Sequence, residues 1–166
     1  MDEDREIGRA EAKAFRLLTL RAHSEKELRA KLRVGGYTAD VIEAVIRRCQ
    51  ELGYLNDELF ARQRARALAV NRLAGDRRIA FDLREKGVDA ELIEHAIAQV
   101  RGELGEEDAV ARLLRKKIRE RPVASLSERE KASLARSLMG KGFPTSLILK
   151  MLKKKGKEGF HDDDGE

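Results

Sequence analysis

Three glycines, Gly36, Gly87 and Gly142, occupy the same point of a pattern that the chain writes three times. Eight residues before them lie Leu28, Ile79 and Leu134, and four before lie Leu32, Leu83 and Leu138. Directly after come Tyr37, Val88 and Phe143. Five and six after come Val41-Ile42, Leu92-Ile93 and Leu147-Ile148, and ten after come Ile46, Ile97 and Leu152. The glycines are 51 and 55 residues apart. Seven matching columns in three copies mark an internal repeat, and a repeat of this length restricts the chain to an array of small units.

The unit follows from the spacing. Apolar residues eight and four before the glycine share one face of a helix. The glycine ends that helix in the left-handed conformation, which only glycine adopts cheaply. A polar residue then follows (Thr38, Asp89, Thr145), placed to cap a second helix whose apolar residues form a buried stripe. Ser24 with Glu27, and Ser127 with Glu130, have capping-box spacing. A longer helix precedes each pair, over Ile7–Ala22, Asp57–Leu73 and Glu106–Glu120. The expected architecture is all-α: three tandem three-helix repeats, 1–56, 57–104 and 105–156, in an elongated, curved array, then a disordered acidic tail, 157–166. A unit of roughly 50 residues is marginal alone and gains by stacking. In the helix after Asp57, Ala61, Ala65 and Leu68 form one apolar stripe and Leu59, Val70 and Leu73 another, so it is expected to pack on two sides.

Composition agrees. Ala, Leu, Arg, Glu and Lys dominate, aromatics make up 4% and Trp is absent, which favours helix over strand. The single Cys49 excludes an internal disulfide and, three residues after Ile46, belongs to the buried stripe. No apolar run approaches the ~20 residues that cross a bilayer, and the N-terminus lacks a signal peptide's apolar segment. A cytoplasmic protein without membrane contact is expected.

The segment "GYLNDELFA" joins the first two units. Gly53 ends a helix, Tyr54 and Leu55 plug the gap between units, and Asn56 or Asp57 caps the next helix. This segment, with "NRLAGDRRIAFDLREKGV", resembles the RecX family of bacterial recombination regulators. The residues that carry the resemblance are Tyr54, Asn56-Asp57, Phe60-Ala61, Arg72, Gly75 and Lys86-Gly87-Val88; with Gly53 they are read as mainly structural. It covers roughly Ala10 to Lys155 and is weakest in the third repeat; Asp76 stands where the family commonly has an uncharged residue. The resemblance implies a protein of three tandem three-helix repeats that binds the RecA recombinase and its filament on single-stranded DNA. It implies negative control of filament extension, ATP hydrolysis, strand exchange and co-protease activity in DNA repair and the SOS response, with no catalytic site of its own.

The residues themselves offer no chemistry. "MGKGFPTS" is too short and wrongly ordered for a phosphate loop. His23, His95 and His161 are scattered, with no second ligand at metal spacing. An enzyme, a cofactor, a metal or a small-molecule substrate is not expected.

Charge is uneven. The net charge is +5, but residues 1–56 carry 11 basic and 10 acidic residues, 57–104 carry 9 and 9, 105–155 carry 14 and 6, and 156–166 carry 1 and 5. The excess sits in "RLLRKKIRER" and "LKMLKKKGK", where it can meet phosphates or an acidic protein surface, or merely solvate a helix. Candidate partner residues are Arg62, Arg66, Arg72, Arg77, Arg78, Arg115, Lys116 and Arg119, while Arg64 is expected to lay its stem along the apolar stripe. The acidic tail folded over the basic block would weaken non-specific binding to DNA. A second reading is a basic helical module that binds DNA directly, without RecA; scarce aromatics for base stacking count against it.

Overall fold

The computed structural model describes residues 2–153, and among these there are helices and no strands. The first unit consists of α1 (Asp2–Leu20), α2 (Glu25–Val34) and α3 (Ala39–Glu51); the second of α4 (Asp57–Arg66), α5 (Asp76–Glu85) and α6 (Ala90–Glu103); the third of α7 (Glu106–Ile118), α8 (Glu128–Gly140) and α9 (Thr145–Lys153). The tail 157–166, with His161, lies outside the described residues.

The glycine frame is realised. Gly36, Gly87 and Gly142 have φ of +86, +77 and +94°, and Gly53 has +73°. After each frame glycine the backbone N–H of Tyr37, Val88 or Phe143 donates back to the carbonyl of Leu32, Leu83 or Leu138, which closes the helix end. Both capping boxes form, at Ser24–Glu27 and Ser127–Glu130. Thr38 and Asp89 differ from expectation: they hold the N-cap backbone conformation, but neither side chain accepts from the helix. Thr145 is the first residue of α9 and not its cap. Thr38 and Asp89 are exposed, so water can satisfy the N–H groups there.

Each unit has its own core. Leu28, Leu32, Val41, Ile42, Val45, Ile46 and Cys49 fill the first with Ala10, Ala14 and Leu55. Phe60, Ala61, Ala65, Leu68, Ile79, Leu83, Val88 and Ile93 fill most of the second. Leu113, Leu114, Leu138, Phe143, Ile148 and Leu152 fill most of the third, joined by Leu73. The α4 helix therefore serves two cores, as its stripes predict, but through a device the stripes do not reveal. After Arg66 the helix widens into a π-helical stretch, Ala67–Asn71. Wider winding changes the angle between successive side chains, so Leu68 faces its own unit, Val70 touches both cores and Leu73 reaches the third unit. Leu59, assigned to the second stripe, is 37% exposed.

Two other expectations change. Tyr54 is no plug between units: it is 60% exposed and meets Phe15 edge-on at 5.6 Å. The left-handed Gly53 folds the chain back on the end of α3, where the N–H groups of Tyr54 and Leu55 both donate to the Cys49 carbonyl, and only Leu55 turns inward. Arg64 does more than lay its stem on apolar surface. Its guanidinium grips Asp82 of α5 with two hydrogen bonds, of 2.7 and 2.8 Å.

The units are joined by one arrangement used twice. At the first junction the Ser24 hydroxyl donates to the Lys86 carbonyl (2.6 Å), and the Glu25 N–H donates to Asp57 Oδ1 (2.8 Å). At the second, the Gly75 N–H donates to the Lys141 carbonyl (2.8 Å), and the Asp76 N–H donates to Glu106 Oε1 (2.8 Å). Gln50 holds Glu25 at the first junction (2.9 Å) as Arg101 holds Asp76 at the second (2.7 Å). The pairs Ser24/Gly75, Glu25/Asp76 and Gln50/Arg101 are all 51 residues apart, the period of the glycines. So the middle helix of one unit starts against the glycine turn of the next, and the first acid of the next unit satisfies its first N–H.

Close approach explains Gly75, whose φ of −80° any residue could adopt. A Cβ there would lie 2.4 Å from the Gly142 carbonyl carbon, and a Cβ on Gly142 would lie 2.4 Å from the Arg78 nitrogen. Only two glycines allow these backbones to touch. At the first junction Gly87 abuts only the Lys26 side chain, 2.6 Å from where its Cβ would be.

Candidate functional site

Basic residues at positions 112, 115, 116 and 119 recur at one, four, five and eight, which puts all four on one face of α7. That face is one wall of a cleft of about 620 Å3; the other wall is Val70, Asn71 and Leu73, from the π-helical exit of α4, and Glu120 also lines it. Arg112, Arg115, Lys116 and Arg119 are exposed and form no ion pair among the described residues. The remaining cations of this segment are engaged elsewhere: Lys117 donates to Ser137 Oγ (2.8 Å), and Arg121 pairs with Glu130 (3.0 Å). Pairing within the unit thus sorts the basic block into two kinds, and the uncommitted cations share one cleft.

Backbone strain collects at the same place. Among the described residues, the non-glycine positions with positive φ are Leu73 (51°), Arg119 (47°) and Glu120 (66°), and all three line the cleft. Side chains in this region cost on the order of 1 kcal/mol each and persist where surrounding structure imposes them. Here Leu73 is anchored in the third core, and the Arg119 N–H still donates to the Arg115 carbonyl (3.2 Å).

Of the cations expected to meet a partner, the structure brings Arg115, Lys116 and Arg119 together in the cleft, with Arg72 exposed beside Asn71 and Leu73. Arg66 pairs with Glu103 of α6 (2.9 Å). Arg62 is exposed on α4. Arg77 and Arg78 lie exposed in the first turn of α5, where the Arg77 N–H donates to the Gly142 carbonyl (3.3 Å). Arg112 was missed by sequence reasoning, although its helical spacing from Arg115, Lys116 and Arg119 was there to find. The facing wall had no local signal, since it depends on the π-helical stretch that sets Val70 between two cores and Leu73 in the third.

Several titratable groups with displaced pKa values lie at the junctions. Burial raises Asp57 and Glu106 against the hydrogen bonds that each accepts from the neighbouring unit. Burial also pushes Glu27 up, but hydrogen bonds from Arg21, Lys86 and the Ser24 N–H prevail and hold it at about 2. His23, buried beside the first junction, is lowered by desolvation, and burial raises Cys49 inside the first core. No group of three His, Cys, Asp or Glu able to hold a metal occurs among the described residues, and no helix among them is long and apolar enough to cross a membrane.

Comparison with known proteins is consistent along the chain. The family model for the first three-helix domain of RecX matches residues 10–49, and that for the second three-helix domain matches residues 56–97. The regulatory protein RecX of Mycolicibacterium vanbaalenii is 38% identical over 142 residues, 84% of this chain and 76% of that protein. The regulatory protein RecX of Pelodictyon phaeoclathratiforme is 34% identical over 155 residues, 91% of each. The solved structure of RecX from Lactobacillus salivarius superposes with a TM-score of 0.77 over 90% of this chain and 96% of that one; at 23% identity it speaks for the fold.

Proposed function

The chain belongs to the RecX family and is a RecX-type regulatory protein, and from that premise we propose that it binds RecA and the RecA filament on single-stranded DNA and restrains it. Filament extension, ATP hydrolysis, strand exchange and co-protease activity would all fall, because each needs a growing or freely cycling filament. The observation that carries this reading is the relationship to regulatory RecX proteins over most of the length of both chains. The fold supports it physically. Two equivalent junctions fix the order and relative placement of three units, so a surface spanning several units is presented ready-made, at low entropic cost on binding. The uncommitted cations of the cleft offer charge to an acidic or phosphate-bearing surface.

The same cations favour a second reading, direct binding to DNA without RecA. The two separate in one experiment: RecA's DNA-dependent ATPase is followed with this protein at substoichiometric amounts, beside binding to naked DNA at the same salt. Loss of hydrolysis with little naked-DNA binding fits the filament regulator. Loss only when the protein suffices to coat the DNA refutes it in favour of the DNA-binding module.

A further inference from the structure

The cleft between α4 and α7 collects four unpaired cations, an apolar edge and all the strained side-chain-bearing residues of the described chain. We infer that its occupant, in the free protein, is the chain's own C-terminal segment, "GFHDDDGE", with Asp162, Asp163 and Asp164 against Arg112, Arg115, Lys116 and Arg119.

Charge complementarity is the first argument. The cleft presents four cations and one carboxylate, Glu120, whereas residues 156–166 carry 1 basic and 5 acidic residues, three of them consecutive. Several exposed cations meet local acids, as in Arg66–Glu103, Arg121–Glu130 and Lys150–Glu107, whereas these four do not, and they share one cleft. Apolar character is the second argument. Val70 and Leu73 give the cleft a face that a purely anionic ligand would not use, and the segment carries Phe160 two residues before its acids. Reach is the third. Helix α9 ends at Lys153, which shares a hollow with Ala124, only four residues beyond Glu120. The nine residues from Lys153 to Asp162 can span about 30 Å, while Ala124 and Glu120 are at most about 14 Å apart along the chain.

Docked there, the segment shields the cations until a partner with a denser array of negative charge displaces it, so weak polyanions are refused and a tight one is admitted. This inference concerns the cleft alone and does not rest on RecA being the partner. Its test uses the full chain with nothing added. Backbone amide NMR spectra are compared for the wild type and the D162N/D163N/D164N variant. Shifts confined to Val70–Leu73 and Arg112–Glu120, reproduced in the wild type by about 0.5 M salt, are expected. No shifts, or shifts centred on other basic surfaces such as Lys131 and Lys153, overturn it. A single-stranded oligonucleotide added to both proteins at low salt gives a second arm. The variant should bind it several-fold more tightly, with the same cleft amides moving. If the oligonucleotide moves those amides equally in both proteins at equal affinity, nucleic acid and not the segment is the occupant.

Discussion

Replacing Gly142 with alanine adds one methyl group where two units meet backbone to backbone. The effect has two parts that a second substitution separates. At φ +94° any side chain strains the turn, at roughly 1–2 kcal/mol. The new Cβ would also lie 2.4 Å from the Arg78 nitrogen and 2.6 Å from its Cβ, about 1 Å inside van der Waals contact. Helix α5 must then retreat, which opens the bonds from the Gly75 N–H to Lys141 and from the Arg77 N–H to Gly142. Gly75 is buried, so its donor would be left unsatisfied at about 1–3 kcal/mol. The total is roughly 2–5 kcal/mol. Gly36 is its equivalent in the first unit, at φ +86°, but nothing lies within 4 Å of where its Cβ would stand. Gly36→Ala should therefore cost only the strain, about 1–2 kcal/mol. Urea unfolding followed by circular dichroism at the helical band measures both. A gap of about 2 kcal/mol between the variants is expected, and equal losses within about 0.5 kcal/mol would refute the assignment of Gly142 to a junction.

Other predictions concern charge. Glu27 is held at about 2, against 4.5 for an ordinary glutamate, so its contribution is complete above pH 4.5 and is lost as pH falls towards 2. Glu27→Gln should cost roughly 2–3 kcal/mol at neutral pH and flatten the acid limb of a stability–pH curve. Asp57 is shifted the other way: with its folded pKa raised, its ionisation costs stability as pH rises from 3.8 through the folded value. Asp57→Asn keeps an oxygen for the Glu25 N–H and should be within about 1 kcal/mol of wild type at pH 7, whereas Asp57→Ala loses the acceptor and should cost about 1–3 kcal/mol more; paired urea titrations decide. An R115A/K116A variant should keep wild-type thermal stability, since neither side chain is packed or paired, yet inhibit RecA's ATPase several-fold less.

Local order was legible because it obeys local rules. Apolar columns around Gly36, Gly87 and Gly142 report a helix face and a left-handed turn, both settled within about ten residues, and the cores fill from those columns. What joins the units was not legible. Asp57 read as a cap or an acid favourable near a helix's positive end, and Glu106 only as the start of a helix. That each also accepts the first N–H of another unit's middle helix depends on contacts 32 and 30 residues away. Gly75 likewise looks like loop punctuation, and only Gly142, from another unit, explains it. The cleft was half legible. Helical spacing puts Arg112, Arg115, Lys116 and Arg119 on one face, but their facing wall arises from a π-helical stretch in "ALAVN", for which no residue pattern gave notice.

The central claim is that this chain recognises the RecA filament as a protein surface rather than DNA as a polyanion. The most direct measurement is the affinity of labelled full-length protein for a RecA filament on a single-stranded oligonucleotide. It is compared with affinity for the same oligonucleotide without RecA, near physiological salt. The account predicts filament binding at least roughly tenfold tighter, a difference of about 1.4 kcal/mol that survives added salt. Equal affinities that fall together as salt rises would contradict it.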